Sequence, residues 1–281
     1  MSDDVPSLSA DTLRPFLVEL LQAYSVFEYD AETITDAALL ADGVGHHEAG
    51  VVRIPVWIEQ IVGGQIDPRG RPLPLAESPA LYTLDGSSAV GPVAAAAAAD
   101  WTIEKAPTTG VAVAVVKNGR DLGCPMVWAA RVAAAGLIGL CVTGGYRADS
   151  DQAYSRRSLV TPGEPRRHFG FDELVPEASK TTLAREAQHH FLSPLPMLAM
   201  LLAGGRDPEQ RHAAPNPHQS EHVVVALDPN HGLGLDGVAR TLDREYPHHP
   251  PLTVSSELPL PPTLTARLST LATDRDVAAP F

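Results

Sequence analysis

The sequence is poor in cysteine and in positive charge, and each shortage excludes a class of protein. Only two of its 281 residues are cysteines, Cys124 and Cys141, and neither lies in a CxxC or Cys/His pattern. We therefore expect two buried free thiols in a reducing compartment, with no disulfide and no metal site. Lysine and arginine number 21 against 34 aspartates and glutamates, which gives a formal net charge of −13. A nucleic acid or anionic membrane partner is unexpected, because both need a basic surface.

The sequence also lacks a long apolar run, and we expect no secretory leader. The run from Leu195 to Ala203 is too short to span a bilayer. The first residues are acidic and do not resemble a secretory signal. With 44% hydrophobic residues the chain can still bury a sizeable core. We expect a soluble, cytoplasmic protein.

Hydrophobic periodicity predicts a mixed, partly parallel sheet with flanking helices, an α/β fold. Residues 9–24 have the apolar spacing of an amphipathic helix, and a block of alanines at 94–99 favours another helix. Between residues 81 and 143 strands and helices alternate in the order that produces parallel strands. The predicted strands are 81–84, 111–116, 137–143 and 223–227, and the predicted helices are 9–24, 30–41, 54–62, 91–105, 124–135, 194–203, 233–242 and 262–271.

Composition divides the chain into two parts. We expect residues 1–80 to form an N-terminal helical part that packs with the C-terminal residues 245–281, and residues 81–244 to form the sheet domain. Residues 145–188 are polar, with few apolar positions in any period. This predicts a polar loop or arm rather than core.

Three ordered motifs carry a family resemblance. Residues 41–53 read ADGVGHHEAGVVR, residues 85–91 read DGSSAVG before the alanine-rich helix, and residues 115–123 read VVKNGRDLG. In this order they resemble the malate/L-lactate dehydrogenase family, whose nicotinamide fold is not of the Rossmann type and whose members include ureidoglycolate and sulfolactate dehydrogenases and a cyclic-imine carboxylate reductase. The resemblance implies that fold and a homodimer.

The chain departs from that family at its functional positions. Ala49 stands where the family has its proton-donating histidine, and alanine cannot transfer a proton. Asp121 and Arg120 stand where the family has a histidine and an asparagine. His190 keeps a cofactor-site histidine, but Phe191 replaces the lysine that follows it. Two family segments used for nicotinamide and phosphate contacts have no counterpart, so the cofactor region is reduced and we expect no bound cofactor.

The remaining polar residues of the motifs are the candidate site residues. Arg53 matches the arginine that binds a substrate carboxylate in the family, although a surface salt bridge is the simpler explanation. His47 with Glu48 could supply a new acid–base pair, and Asp121 is a further proton-transfer candidate. Arg120 and His46 are candidates for substrate binding, although His46 could equally be a structural histidine.

These residues leave three functions open. The first is a repurposed dehydrogenase-fold protein that acts on a small anionic substrate, a carboxylate or a keto or imino acid. Its chemistry would be non-redox, a cyclisation, isomerisation, dehydration or elimination in a biosynthetic pathway. The second is an NADH- or NADPH-dependent oxidoreductase of 2-hydroxy, 2-keto or cyclic imino acids. The third is a non-catalytic partner of an active paralogue.

Overall fold

A seven-stranded mixed sheet forms the centre of the protein. A computed structural model describes residues 6–146, 153–162, 168–174, 220–231, 234, 237 and 252–281. The sheet has the order β2-β3-β4-β8-β5-β6-β7, in which β3 and β4 are parallel and all other neighbours are antiparallel. The predicted mixed, partly parallel sheet is confirmed. The strands are β2 Leu73–Glu77, β3 Leu81–Asp85, β4 Val111–Gly119, β5 Ile138–Tyr146, β6 Ala153–Val160, β7 His168–Leu174 and β8 Ser220–Leu227.

Six of the predicted helices are present, with ends shifted by a few residues; the prediction at 194–203 and all but two residues of that at 233–242 lie outside the described residues. The first begins where Ser9 accepts a hydrogen bond from the backbone N–H of Thr12, which caps one of the free amides of the first turn. The longest runs from Gly91 to a left-handed Gly110 (φ 77°). The helices are α1 Ala10–Ala23, α2 Glu28–Gly43, α3 Arg53–Val62, α4 Gly91–Thr109, α5 Pro125–Ala134 and α6 Pro262–Thr273.

Small side chains form the core between the sheet and its helices. The face of β4 that carries Ala112, Ala114 and Val116 packs with the alanines of α4 and with α5. Because alanine projects only a methyl group, the helix backbone can approach the strands closely. The opposite face of the sheet carries a smaller cluster centred on Val115, Val142 and Val223.

Larger side chains hold the two ends of the chain together. Strand β1 (Ser7–Ser9) pairs antiparallel with β9 (Glu257–Pro259). Leucines of α1 and α6 share one buried cluster with Ile54, Trp57 and Ile58 of α3. The division of the chain into two domains stays a prediction, but its opening and closing segments do pack on each other.

The polar residues 145–188 were predicted to form a loop or arm. The prediction of a loop is wrong for residues 153–160 and 168–174, which are strands. Residues 153–160 and 168–174 form β6 and β7, which pair with each other and extend the sheet beyond β5. Strand pairing is made by backbone groups, so an antiparallel edge hairpin can form from polar residues that show little hydrophobic alternation.

Among the described residues, no helix has both the length and the apolar character that a bilayer crossing requires. Both cysteines are buried and neither forms a disulfide, as predicted.

Candidate functional site

A buried carboxylate organises the first motif. Asp42, at the end of α2, accepts a hydrogen bond from the backbone N–H of Val51 at 2.8 Å through Oδ2. Its Oδ1 lies 3.0 Å from Nδ1 of His47, in a short 3₁₀ turn of residues 47–49. A Cβ on Gly50 would lie 2.3 Å from the Asp42 carboxyl carbon, so glycine is required there. Burial raises the pKa of Asp42, and the bonds from Val51 and His47 oppose that shift.

His47 and Glu48 were predicted to work together, but they have different partners. His47 pairs with Asp42, and its side chain is 52% exposed. Glu48 points to His46, with its carboxylate 3.8 Å from Nδ1 of that ring. Because a carboxylate only accepts hydrogen bonds, Asp42 selects the His47 form with hydrogen on Nδ1. The other ring nitrogen of His47, Nε2, is then free to accept a proton when the ring is neutral.

Ala49 lies directly beside the third motif. The residue is 2% exposed, and its carbonyl oxygen would lie 3.2 Å from a Cβ on Gly123. Gly123 has a φ of 78°, a conformation that favours glycine. The first and third motifs therefore touch at this point.

An ion pair joins the same two motifs. The guanidinium of Arg53, at the start of α3, contacts Oδ2 of Asp121 in the loop after β4. Oδ1 of Asp121 accepts a hydrogen bond from the backbone N–H of Gly123 at 3.1 Å. Both side chains are partly exposed, 30% for Arg53 and 27% for Asp121. The first and third motifs thus also meet at this ion pair, and Arg53 has an acidic partner there.

Three residues that sequence reasoning missed hold the loop of Arg120 and Asp121. Trp57 donates its indole N–H to the carbonyl of Asp121 at 3.2 Å. Nε2 of His222 lies 2.7 Å from the carbonyl of Arg120. A Cβ on Gly91 would lie 2.0 Å from the Asp121 carbonyl oxygen. The loop is thus held from α3, β8 and α4 at once.

The guanidinium of Arg120, a predicted substrate ligand, turns to the backbone. Its terminal nitrogen donates to the carbonyl of Gln65 at 2.9 Å, and burial lowers the pKa of its guanidinium. Arg120 is therefore tied to the turn after α3, next to the ion pair of Arg53.

The structure brings together some predicted residues and not others. Arg53, Asp121 and Arg120 gather where α3 meets the loop after β4, and His46, His47 and Glu48 lie in the turn that leads into α3. His190 lies outside the described residues. Within the described ranges no group of acidic, histidine and cysteine side chains is arranged to hold a metal ion.

The N-terminus of a helix can bind a phosphate of a nicotinamide nucleotide through its free backbone amides, and α4 offers such an end. Backbone carbonyls of the loop lie against this turn. A Cβ on Gly91 would lie 2.0 Å from the carbonyl oxygen of Asp121 and 2.7 Å from that of Arg120. These oxygens repel an anion, so this end of α4 does not fit a dinucleotide phosphate.

A separate cleft of about 350 Å³ lies between α2 and α5. Its lining includes Tyr29, Glu32, Asp36, Trp128 and Arg131 and none of the candidate residues. The acidic groups are paired with Arg14, and Arg131 is paired with Asp100. Its charges are therefore already neutralised within the chain.

Sequence comparison finds relatives of known activity. A malate dehydrogenase from Pyrococcus abyssi is 32% identical over 133 residues, which are 47% of this chain and 37% of the relative. Hydroxycarboxylate dehydrogenase B from Escherichia coli is 30% identical over 131 residues, 47% of this chain and 36% of the relative. The alignments thus span little more than a third of the length of these relatives.

Structure comparison extends the likeness over the whole fold. Malate dehydrogenase from Pyrococcus horikoshii superposes with a TM-score of 0.79 at 16% identity, over 99% of this chain and 98% of the other. A delta1-piperideine-2-carboxylate reductase from Pseudomonas syringae superposes with a TM-score of 0.63 at 17% identity, over 98% and 96%. At identities this low, the superpositions show a shared fold and nothing further. The malate/L-lactate dehydrogenase family profile matches residues 8–149, half of the chain. The chain therefore belongs to the malate/L-lactate dehydrogenase family.

Proposed function

We propose that the chain binds a small 2-hydroxy, 2-keto or imino carboxylate beside Arg53 and transforms it by proton transfer, without moving a hydride. The observation that carries this proposal is the arrangement of the first motif. A methyl group at Ala49 stands at the family's proton-donor position, while a histidine oriented by a buried carboxylate lies two residues earlier.

Arg53 supports the carboxylate part of the proposal. A guanidinium has five N–H donors in a planar fork, and Asp121 contacts one of its terminal nitrogens. Nε of Arg53 is buried and has no hydrogen-bond partner among the described residues. Buried donors are as a rule satisfied. A bound carboxylate would supply an acceptor for this guanidinium.

His47 supports the proton-transfer part. Imidazole accepts and releases protons near neutral pH, and a buried carboxylate on Nδ1 fixes the ring as in other acid–base pairs. Asp42 provides that contact at 3.0 Å. Isomerisation, dehydration, elimination and cyclisation all need such a group, and none of them needs an electron donor.

A hydride-transferring dehydrogenase is the second candidate, because the relatives are named dehydrogenases. A nicotinamide would supply the hydride in that case. We expect NADH and NADPH to bind only above millimolar concentration, since Ala49 and the start of α4 do not suit the family reaction. Calorimetric titration tests this, and micromolar binding of either nucleotide would favour the second candidate. The homodimer stays a prediction that light scattering can check.

The binding site is tested with L-malate and oxaloacetate as probes. We expect Arg53→Ala to weaken probe binding roughly tenfold to a hundredfold, since a hydrogen bond to a charged group contributes about 1.5–3 kcal/mol. Arg53→Lys should recover part of this loss, because it keeps the charge without the fork. The matched control is Arg267→Ala, which removes an exposed arginine paired with Glu59. If Arg53→Ala lowers the melting temperature but binds the probes normally, Arg53 has only a structural role.

A further inference from the structure

We propose that His222 is a positioning residue, which holds the carbonyl of Arg120 and thereby places Asp121 under the guanidinium of Arg53. This rests on the proposed function only in what the site binds. The positioning itself can be measured without any ligand.

His222 is fully buried and hydrogen-bonded on both ring nitrogens. Its exposed fraction is 0%. Nε2 lies 2.7 Å from the carbonyl oxygen of Arg120, and Nδ1 lies 2.8 Å from the hydroxyl of Thr143. A carbonyl oxygen only accepts, so Nε2 carries the hydrogen. In the neutral ring Nδ1 then accepts from the Thr143 hydroxyl, and both polar atoms of the ring are satisfied.

The sheet order places this ring behind the site. Strand β8 lies between β4 and β5, and His222 is directly opposite Thr143 of β5. The register of β4 with β8 shifts between Val116 and Gly119, and Asn118 adopts a positive φ of 53°. Such a bulge turns the end of a strand in a new direction. The loop after β4 is therefore directed across the ring of His222.

Two further contacts show that the space is shaped for this histidine. A Cβ on Gly119 would lie 2.7 Å from Nε2 of His222, so a larger residue would displace the ring. The carboxylate of Glu221 accepts a hydrogen bond from the backbone N–H of Asn118 at 3.3 Å. Successive residues of β8 thus contact residue 118 at the end of β4 and residue 120 in the loop that follows.

The peptide groups on both sides of Asp121 are held by hydrogen bonds. Asp121 comes immediately after the carbonyl that His222 holds, and its own carbonyl is held by Trp57. Both neighbouring peptide groups are fixed, so the Asp121 side chain is aimed at Arg53. Without the His222 contact the carbonyl before Asp121 loses this hydrogen bond, while the contacts of Trp57 and Gly123 remain, and the ion pair should loosen.

The first measurement uses the unaltered protein. In ¹⁵N-histidine-labelled protein at neutral pH, long-range ¹⁵N–¹H spectra should show His222 with hydrogen on Nε2 and a bare Nδ1. A ring with hydrogen on Nδ1, or a doubly protonated ring, would overturn the proposal.

The second measurement uses His222→Leu and His222→Gln. We expect His222→Leu to speed exchange of the Arg53 guanidinium protons and to weaken L-malate binding about tenfold, as for one lost buried hydrogen bond. The His222→Gln side chain can still donate to a carbonyl and should recover part of both effects. The matched control is Val224→Ala, a fully buried change on the same strand that lowers stability without touching the loop.

Each result decides one of the two claims. Unchanged Arg53 exchange in both His222 variants, or equal change in Val224→Ala, would overturn the positioning role. If the unaltered protein does not bind L-malate, the proposed substrate class fails, and the tautomer and the Arg53 exchange still decide the role of His222.

Discussion

Two carboxylates serve the candidate site in contrasting ways. Asp42 is 5% exposed, accepts a backbone N–H and contacts Nδ1 of His47, a histidine whose side chain is half-exposed. Asp121 is partly exposed, and its loop depends on contacts from α3, α4 and β8. The first arrangement suits proton transfer, because its geometry is fixed within one short segment. The second suits anion binding, because Arg53 can share or exchange its partner with a ligand.

Acid should separate the two arrangements, and it gives the largest expected effect. Burial lowers the pKa of His222 from 6.5 to about 4, and the nearby Asp121 carboxylate opposes this only in part. Between those values the unfolded chain binds the proton and the folded chain does not. The His222 contribution to stability is therefore complete above pH 6.5 and is lost as pH falls toward 4, by about 3 kcal/mol.

Asp42 responds to acid with the opposite sign. Burial raises its pKa, so the folded state takes up a proton more readily than the unfolded state. Its effect favours folding as pH falls. Urea unfolding of the unaltered protein and of His222→Gln at pH 7 and pH 4 isolates the His222 contribution. The variant should lose about 3 kcal/mol less between the two pH values. Equal losses would show that the buried ring does not control acid stability.

Gly91→Ala should disturb the second arrangement alone. The added methyl would lie 2.0 Å from the Asp121 carbonyl oxygen, a backbone atom that cannot move aside independently. Overpacking of this kind costs about 1–3 kcal/mol, and we expect about 2 kcal/mol here. Urea unfolding measures the loss, and the ¹⁵N signal of His47 should be unchanged.

The control for that change is Gly63→Ala at the end of α3. Its φ of −73° suits alanine, and the nearest atom that the new methyl meets is a backbone oxygen at 3.2 Å. We expect a loss well below that of Gly91→Ala. Similar losses in both variants would mean that the contact with the loop of Asp121 has no special weight.

Local sequence signals predicted the elements that depend on neighbouring residues. Helix α1 was predicted from its apolar spacing, and β4 from its run of valine and alanine. The hairpin of β6 and β7 was missed because its stability comes from backbone pairing, which leaves little trace in side-chain pattern.

The site was predicted less completely, because its contacts cross the chain. The contact between Arg53 and Asp121 was not predicted, since the two residues are 68 positions apart in the sequence. His222 could not be recognised, because its role depends on β8 lying between β4 and β5. A lone histidine before five apolar residues gives no indication of that strand order.

Asp42→Asn gives the smallest expected change in stability and the sharpest test of the first arrangement. Asparagine keeps an oxygen that can accept the Val51 N–H, so we expect a loss of about 1 kcal/mol. Its amide group would then face Nδ1 of His47 and donate to it. The hydrogen of His47 should move to Nε2, and Nε2 would then lose its capacity to accept a proton. Long-range ¹⁵N–¹H spectra of His47 at neutral pH report this directly.

Glu48→Gln is the control, because Glu48 lies near His46 and its replacement should leave His47 unchanged. An unaltered His47 tautomer in Asp42→Asn would show that the buried carboxylate does not orient the ring.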